Sequence, residues 1–168
     1  MSPYVISLGA SIAQAGIASA AVMVGMCVGK VALGAVCDHS PAAGVACGCG
    51  AGAVGCLALA AASGPELAPL CAACFLFGIA YASSSLLGAV LTRHGFGPRD
   101  FDHVWPTVGM FIALGNAFGA WAWGALTETA GFTCALLLDA TLMACALALG
   151  LTFLHASKRV RARWDKRG

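Results

Sequence analysis

The sequence predicts an all-α fold, a multi-pass transmembrane bundle of about five spanning helices. Three observations carry this. Of the 168 residues, 60% are hydrophobic and only 10% are charged, whereas a soluble domain holds about a quarter charged residues. The apolar residues come in long blocks rather than in the alternating or amphipathic patterns of half-exposed elements. Several blocks reach the roughly 20 residues that a helix needs to cross a hydrocarbon core about 30 Å thick. Finally, Lys and Arg collect in alternate breaks between the blocks.

The first block, "SIAQAGIASAAVMVGMCVGKVALGAV", predicts a helix over residues 11–36, followed by the polar run Asp38-His39-Ser40-Pro41. The second, residues 43–62, is made almost wholly of Ala, Gly, Cys, Val and Leu, and the turn "SGPE" follows it; Gly and Pro together stop helices. The third runs over residues 67–92, before the longer break "RHGFGPRDFDH". The fourth covers residues 104–126, before "TETAG", and the fifth covers residues 132–154. Residues 155–168 form a basic tail. Residues 1–10 are too short to span and read as the tail of a missing helix or an external lead-in; they lack the basic start of a signal peptide.

Charge sets the expected orientation. Residues 38–42, 93–103 and 155–168 hold Arg93, Arg99, Lys158, Arg159, Arg161, Arg163, Lys166 and Arg167. The opposite breaks, residues 1–10, 63–66 and 127–131, hold no Lys or Arg, only Glu66 and Glu128. Basic residues mark the cytoplasmic side, so the N-terminus is expected outside and the C-terminus in the cytoplasm of a plasma (inner) membrane. An odd number of spans with an outward N-terminus suits a piece of a longer protein.

Other classes fit poorly. The basic residues sit beside apolar segments, with no soluble domain to present them to nucleic acid. The nine cysteines lie in the apolar blocks, or at the end of one in the case of Cys37, and there they act as small hydrophobes. Cys71 and Cys74 have C-x-x-C spacing, but no second pair or nearby His completes a metal site. The four histidines lack ligand spacing and no catalytic set is present. No enzyme, metal or cofactor is expected.

The stretch "GKVALGAVCDH" places Lys30 eight residues before Asp38, about 12 Å along a helix, close enough for Lys30 to snorkel to the surface. Gly25, Gly29 and, one residue past the next repeat, Gly34 line much of one face, where small residues admit a second helix.

Gly29, Lys30, Gly34 and Asp38 resemble the end of the eighth helix of the major facilitator superfamily, where G-[RK]-x-x-x-G-x-x-x-D-R enters a short cytoplasmic loop. "FGPRDFDHVWPTVGMFIALGNAFGAWAWGALTETAGF" is similar to the family's passage from the tenth helix into the eleventh. There a basic FG-x-R loop, here with Arg99, precedes a Gly-rich helix and an outer G-x-L-x-[DE]-x-x-G turn. His39 replaces the usual Arg, and Ser40-Pro41-Ala42-Ala43 replaces the Gly and basic residues that normally follow. The resemblance covers residues 5 to about 155.

It implies helices eight to twelve with the tail of seven, a partial major facilitator fold. Such carriers have two six-helix halves that rock about a central site. The expected function is therefore that of the C-terminal portion of a secondary transporter, moving an unidentified small solute by alternating access and incomplete without its N-terminal half. In this family Gly29, Lys30, Gly34, Asp38 and Arg99 form a conformational motif. The alternative is an inactive truncated remnant, or a structural partner of another membrane protein.

Several polar residues inside the spans are candidates for the substrate path. Tyr81, Ser84, Ser85 and Gly88 share a helix face, although serine hydroxyls also bond back to the preceding turn. Asn116, between Gly115 and Gly119, needs a polar partner in lipid and serves equally as interhelical glue. Asp139 is the one carboxylate well inside the fifth span, where ionisable groups are costly and often functional; a hydrated structural role is its alternative. Gln14 is a weaker candidate of the same kind. Trp121 and Trp123 suit an interfacial aromatic belt.

Overall fold

Ser11 starts the first long helix. Its hydroxyl accepts the backbone N–H of Gln14 at 3.2 Å, and its own N–H donates to the Gln14 amide oxygen at 2.8 Å. This capping box satisfies two donors at the helix start, so Gln14 has a structural role. The chain is seen in a computed structural model that describes residues 2–62, 64 and 66–164, with side chains except those of residues 2, 98, 99 and 158–164. The side chain of Arg99 and the basic side chains from Lys158 onward therefore lie outside the described ones.

Among the described residues there are six helices: α1 (Ser2–Ser7), α2 (Ile12–His39), α3 (Pro41–Ala61), α4 (Leu67–Gly97), α5 (Asp100–Thr129) and α6 (Gly131–Trp164). Five of them, α2 to α6, are long and apolar enough to cross a membrane. A single residue joins α2 to α3: Ser40 ends one helix and caps the next, its hydroxyl accepting the Ala43 N–H at 3.3 Å. Pro41 follows at the first helical position, where a missing N–H costs nothing.

The helices outrun the apolar blocks at the basic breaks. Helix α4 continues to Gly97 and α5 begins at Asp100, so the break over residues 93–103 shrinks to a turn. Hydropathy marks where hydrocarbon ends, whereas a helical backbone keeps its own hydrogen bonds into the headgroup region. Gly97 makes the turn itself, at φ 82° and ψ 171°, in a region essentially reserved for glycine.

Two buried clusters define the ends of the bundle. Tyr4, Val5, Ala15, Leu59, Leu70 and Leu136 pack together at one end, with Trp123 and Phe132 against them. Cys37, Val45, Cys49, Leu87 and Leu154 pack at the other. Successive long helices therefore run in alternating directions. The breaks near Asp38, Arg93 and His155 share one end, here the basic end, and those near Glu66 and Glu128 share the opposite, acidic end.

Between the clusters, glycine sets the helix spacing. A Cβ at Gly25 would collide with the Phe75 carbonyl oxygen, and one at Gly78 with that of Val22, so α2 and α4 touch backbone to backbone. Gly29 continues this seam, with Ile79 Cα 3.0 Å from where its Cβ would lie. Leu33, not Gly34, holds the next place on the packed stripe: Leu33 is buried, and a Cβ built on Gly34 would meet nothing within 4 Å. On the other side of α4, Gly48, Gly52 and Gly55 of α3 admit Ser83, Ala80 and the Phe77 backbone. Small residues at such seams suit a bilayer, where helices associate by close packing rather than by a hydrophobic drive.

Candidate functional site

Helix α5 differs from the other four spans. None of the described residues in its most apolar stretch is buried, and nothing lies within 4 Å of a Cβ built on Gly109, Gly115, Gly119 or Gly124. These glycines therefore have no packing partner among the described residues. Helix α5 touches α4 between its basic end and its middle, and again near its acidic end. Ile112 Cδ1 lies 3.0 Å from a Cβ built on Gly88 of α4, with Trp105 close by. Toward the acidic end, Trp123 packs on the same cluster as Phe77 of α4.

These contacts set α4 and α5 antiparallel, with Gly88 facing the stretch of α5 between Trp105 and Ile112. Tyr81, Ser84, Ser85 and Asn116 lie on the acidic-end side of that contact. All of these residues are exposed, Tyr81 at 59%. The sequence candidates Tyr81, Ser84, Ser85 and Asn116 thus lie in the same half of two neighbouring helices and are all exposed there. Ser83, between them in sequence, turns the other way: it is buried, donates to the Ala80 carbonyl at 2.7 Å and faces Gly48 of α3.

The chemistry of this opening is neutral and polar. Ser84 donates to the Tyr81 carbonyl at 2.9 Å and Ser85 to the Ala82 carbonyl at 3.2 Å. The hydroxyl protons are engaged, but each oxygen retains lone pairs to accept from a solute. Asn116 offers two donors and an acceptor in the middle of an apolar helix. In hydrocarbon such an amide needs a partner, so this face suits water, solute or another protein segment better than lipid tails. Phe118 and Trp121, with ring centroids 5.5 Å apart, lie on the opposite side of α5 from Asn116.

Asp139 lies elsewhere. Helix α6 packs on α3 in antiparallel register: Gly150 meets Val45, and Met143 meets Gly52. One further turn along, Asp139 falls opposite the buried Cys56. The structure therefore separates Asp139 from the α4–α5 opening and sets it on the α3–α6 seam, where only its residue type had marked it out.

The motif residues spread along α2. Gly29 is packed against α4, while Lys30 and Asp38 are exposed and Gly34 borders open space. His39, at the position usually held by Arg, donates from Nδ1 to the Ala35 carbonyl at 2.9 Å and so caps its own helix. Among the described residues no group of three His, Cys, Asp or Glu side chains converges to hold a metal ion.

A family model described as Major Facilitator Superfamily matches residues 1–167. The chain belongs to this superfamily. No curated protein and no solved structure matches it. Membership and the five apolar spans together make it a multi-pass membrane protein of a transporter superfamily, whose members are generally not enzymes. Sequence reasoning named the polar residues of the opening but not that two antiparallel neighbours carry them; the usable signal was the short α4–α5 break at Gly97, which makes the two helices adjacent.

Proposed function

We propose that the chain is the C-terminal portion of a major-facilitator secondary transporter, moving a small solute by alternating access and requiring a second half to do so. The state of α5 supports this reading. A long helix with a mid-span Asn and bare glycines, none of whose described residues in its most apolar stretch is buried, is suited to form one wall of a path whose other wall comes from elsewhere. In this superfamily the solute site lies between two halves near the bilayer midplane. Tyr81, Ser84, Ser85 and Asn116 would contact the solute, and Gly29, Lys30, Gly34, Asp38 and Arg99 would belong to the moving cytoplasmic seam.

Liposomes containing only these 168 residues will show no saturable, gradient-driven uptake, and co-reconstitution with a matching N-terminal half will restore it. Uptake by the chain alone would refute the need for a second half. Failure of a matching half to restore uptake would favour an inactive remnant.

The same proposal places the chain in the plasma membrane with the basic end in the cytoplasm, by the bias of Lys and Arg. On a cysteine-free background, a single cysteine at position 66 or 128 will react with an impermeant reagent from outside. One at position 97 or 160 will react only after permeabilisation. The reverse pattern would overturn the orientation.

A further inference from the structure

We propose that the α4–α5 turn at the basic end carries a binding groove for an anionic phospholipid. The groove has a volume of about 340 Å³ and is lined by Ala89, Val90, Arg93 and Phe101. Its walls come from two helices. Ala89 and Val90 form the last apolar turn of α4, Arg93 follows one turn later, and the turn at Gly97 brings Phe101 of α5 back over them. Among its described lining residues, Arg93 carries the only charge.

Three observations together indicate a lipid rather than a soluble solute. First, Arg93 sits where the apolar run of α4 gives way to polar sequence, the depth at which phosphate headgroups lie. Its guanidinium is exposed and can offer a forked pair of donors to a phosphate. Second, one turn of small apolar residues leads from it toward hydrocarbon, giving an acyl chain a surface to lie along. Third, Phe101 stacks on Trp105 with centroids 5.6 Å apart and 13° between planes. Aromatic rings of this kind collect at membrane–water boundaries. An open, mostly apolar groove with one cation at its mouth is complementary in charge and polarity to a lipid that has an anionic head and an apolar tail. The site is distinct from the α4–α5 opening and does not rest on the transport reading.

The test uses the full chain in vesicles, with Trp105 as the sole tryptophan after Trp121→Phe, Trp123→Phe and Trp164→Phe. Quenching of Trp105 by brominated phosphatidylglycerol is compared with quenching by brominated phosphatidylcholine, which reports relative lipid binding beside that ring. The expected result is about a fivefold preference for the anionic lipid, falling to near unity in Arg93→Ala and largely kept in Arg93→Lys. Unchanged helical circular dichroism will show that the variants fold. Inorganic phosphate, at matched ionic strength, should not abolish the preference. The proposal fails if the wild-type chain shows no preference, or if Arg93→Ala retains it, which would assign it to the other basic residues. It fails too if inorganic phosphate removes the preference, which would indicate a free-anion site.

Discussion

Gly78→Ala will separate α2 from α4 and destabilise the bundle by about 3 kcal/mol, and Gly25→Ala will do the same. Overpacking a well-filled seam typically costs 1–3 kcal/mol. These two positions belong at the upper end of that range because the obstructing atoms are backbone carbonyl oxygens, of Val22 and Phe75 respectively. A side chain can rotate out of the way, but a helical carbonyl cannot move without its whole turn. Relief would therefore require α2 and α4 to part along the seam that also holds Gly29. Gly34→Ala is the matched control on the same helix. Nothing lies within 4 Å of its Cβ, and Ala gains up to about 1 kcal/mol over Gly in a helix interior. The measurement is the folded fraction against increasing sodium dodecyl sulfate, read by near-ultraviolet circular dichroism. Equal curves for Gly78→Ala and Gly34→Ala would contradict the backbone contact between α2 and α4.

That contrast also shows how far the sequence could be read. The spans were legible because a run of about 20 apolar residues has few other uses, and the alternating sides followed from the placement of Arg93 and the basic tail. The seam glycines were legible as a type but not individually. Gly29 and Gly34 both fit a small-residue face on paper, yet five residues is about 500° of helix rotation. This turns Gly34 off the stripe that Leu33 occupies. Asp139 was legible as unusual, but its facing partner was not, since the α3–α6 register depends on contacts such as Gly52 with Met143. Gln14 read as a stray polar residue, although Ser11-x-x-Gln14 is a capping-box spacing. The openness of α5 had only a faint sequence signal. Its mean hydropathy, 1.2 against 1.8–2.1 for the other spans, marks it as less apolar, but only the arrangement of the others shows which of its residues are uncovered.

Tyr4→Ala will release α1 from the acidic end of the bundle, at a cost of about 3 kcal/mol, the lower end for truncating a large buried ring. Helix α1 is only six residues long, too short to be stable by its own hydrogen bonds, so its order depends on what it touches. Tyr4 is 6% exposed, Val5 is fully buried, and the Tyr4 ring lies 5.4 Å from that of Phe132 at the start of α6. Its hydroxyl donates to the Leu59 carbonyl near the end of α3. One side chain thereby joins three helices where their ends would otherwise fray. Tyr4→Phe keeps the ring and removes only the hydrogen bond. Because Leu59 also accepts the Ala62 N–H at 3.1 Å, its carbonyl is not left unpaired, and the loss should be about 1 kcal/mol. Burial, and secondarily the neighbouring Cys74 thiol, pushes the Tyr4 hydroxyl above its ordinary value. The folded state thus favours the neutral phenol. Its contribution is complete below the ordinary tyrosine value of about 10 and is lost as pH rises through the higher folded value. Amide exchange at Val5 to Ser7 reads all three effects. It should accelerate most in Tyr4→Ala and slightly in Tyr4→Phe. In the wild-type chain, exchange corrected for its intrinsic pH dependence should accelerate at alkaline pH, and in Tyr4→Phe it should not. An alkaline acceleration of the same size in Tyr4→Phe would assign the pH response to another group and remove Tyr4 as the clasp.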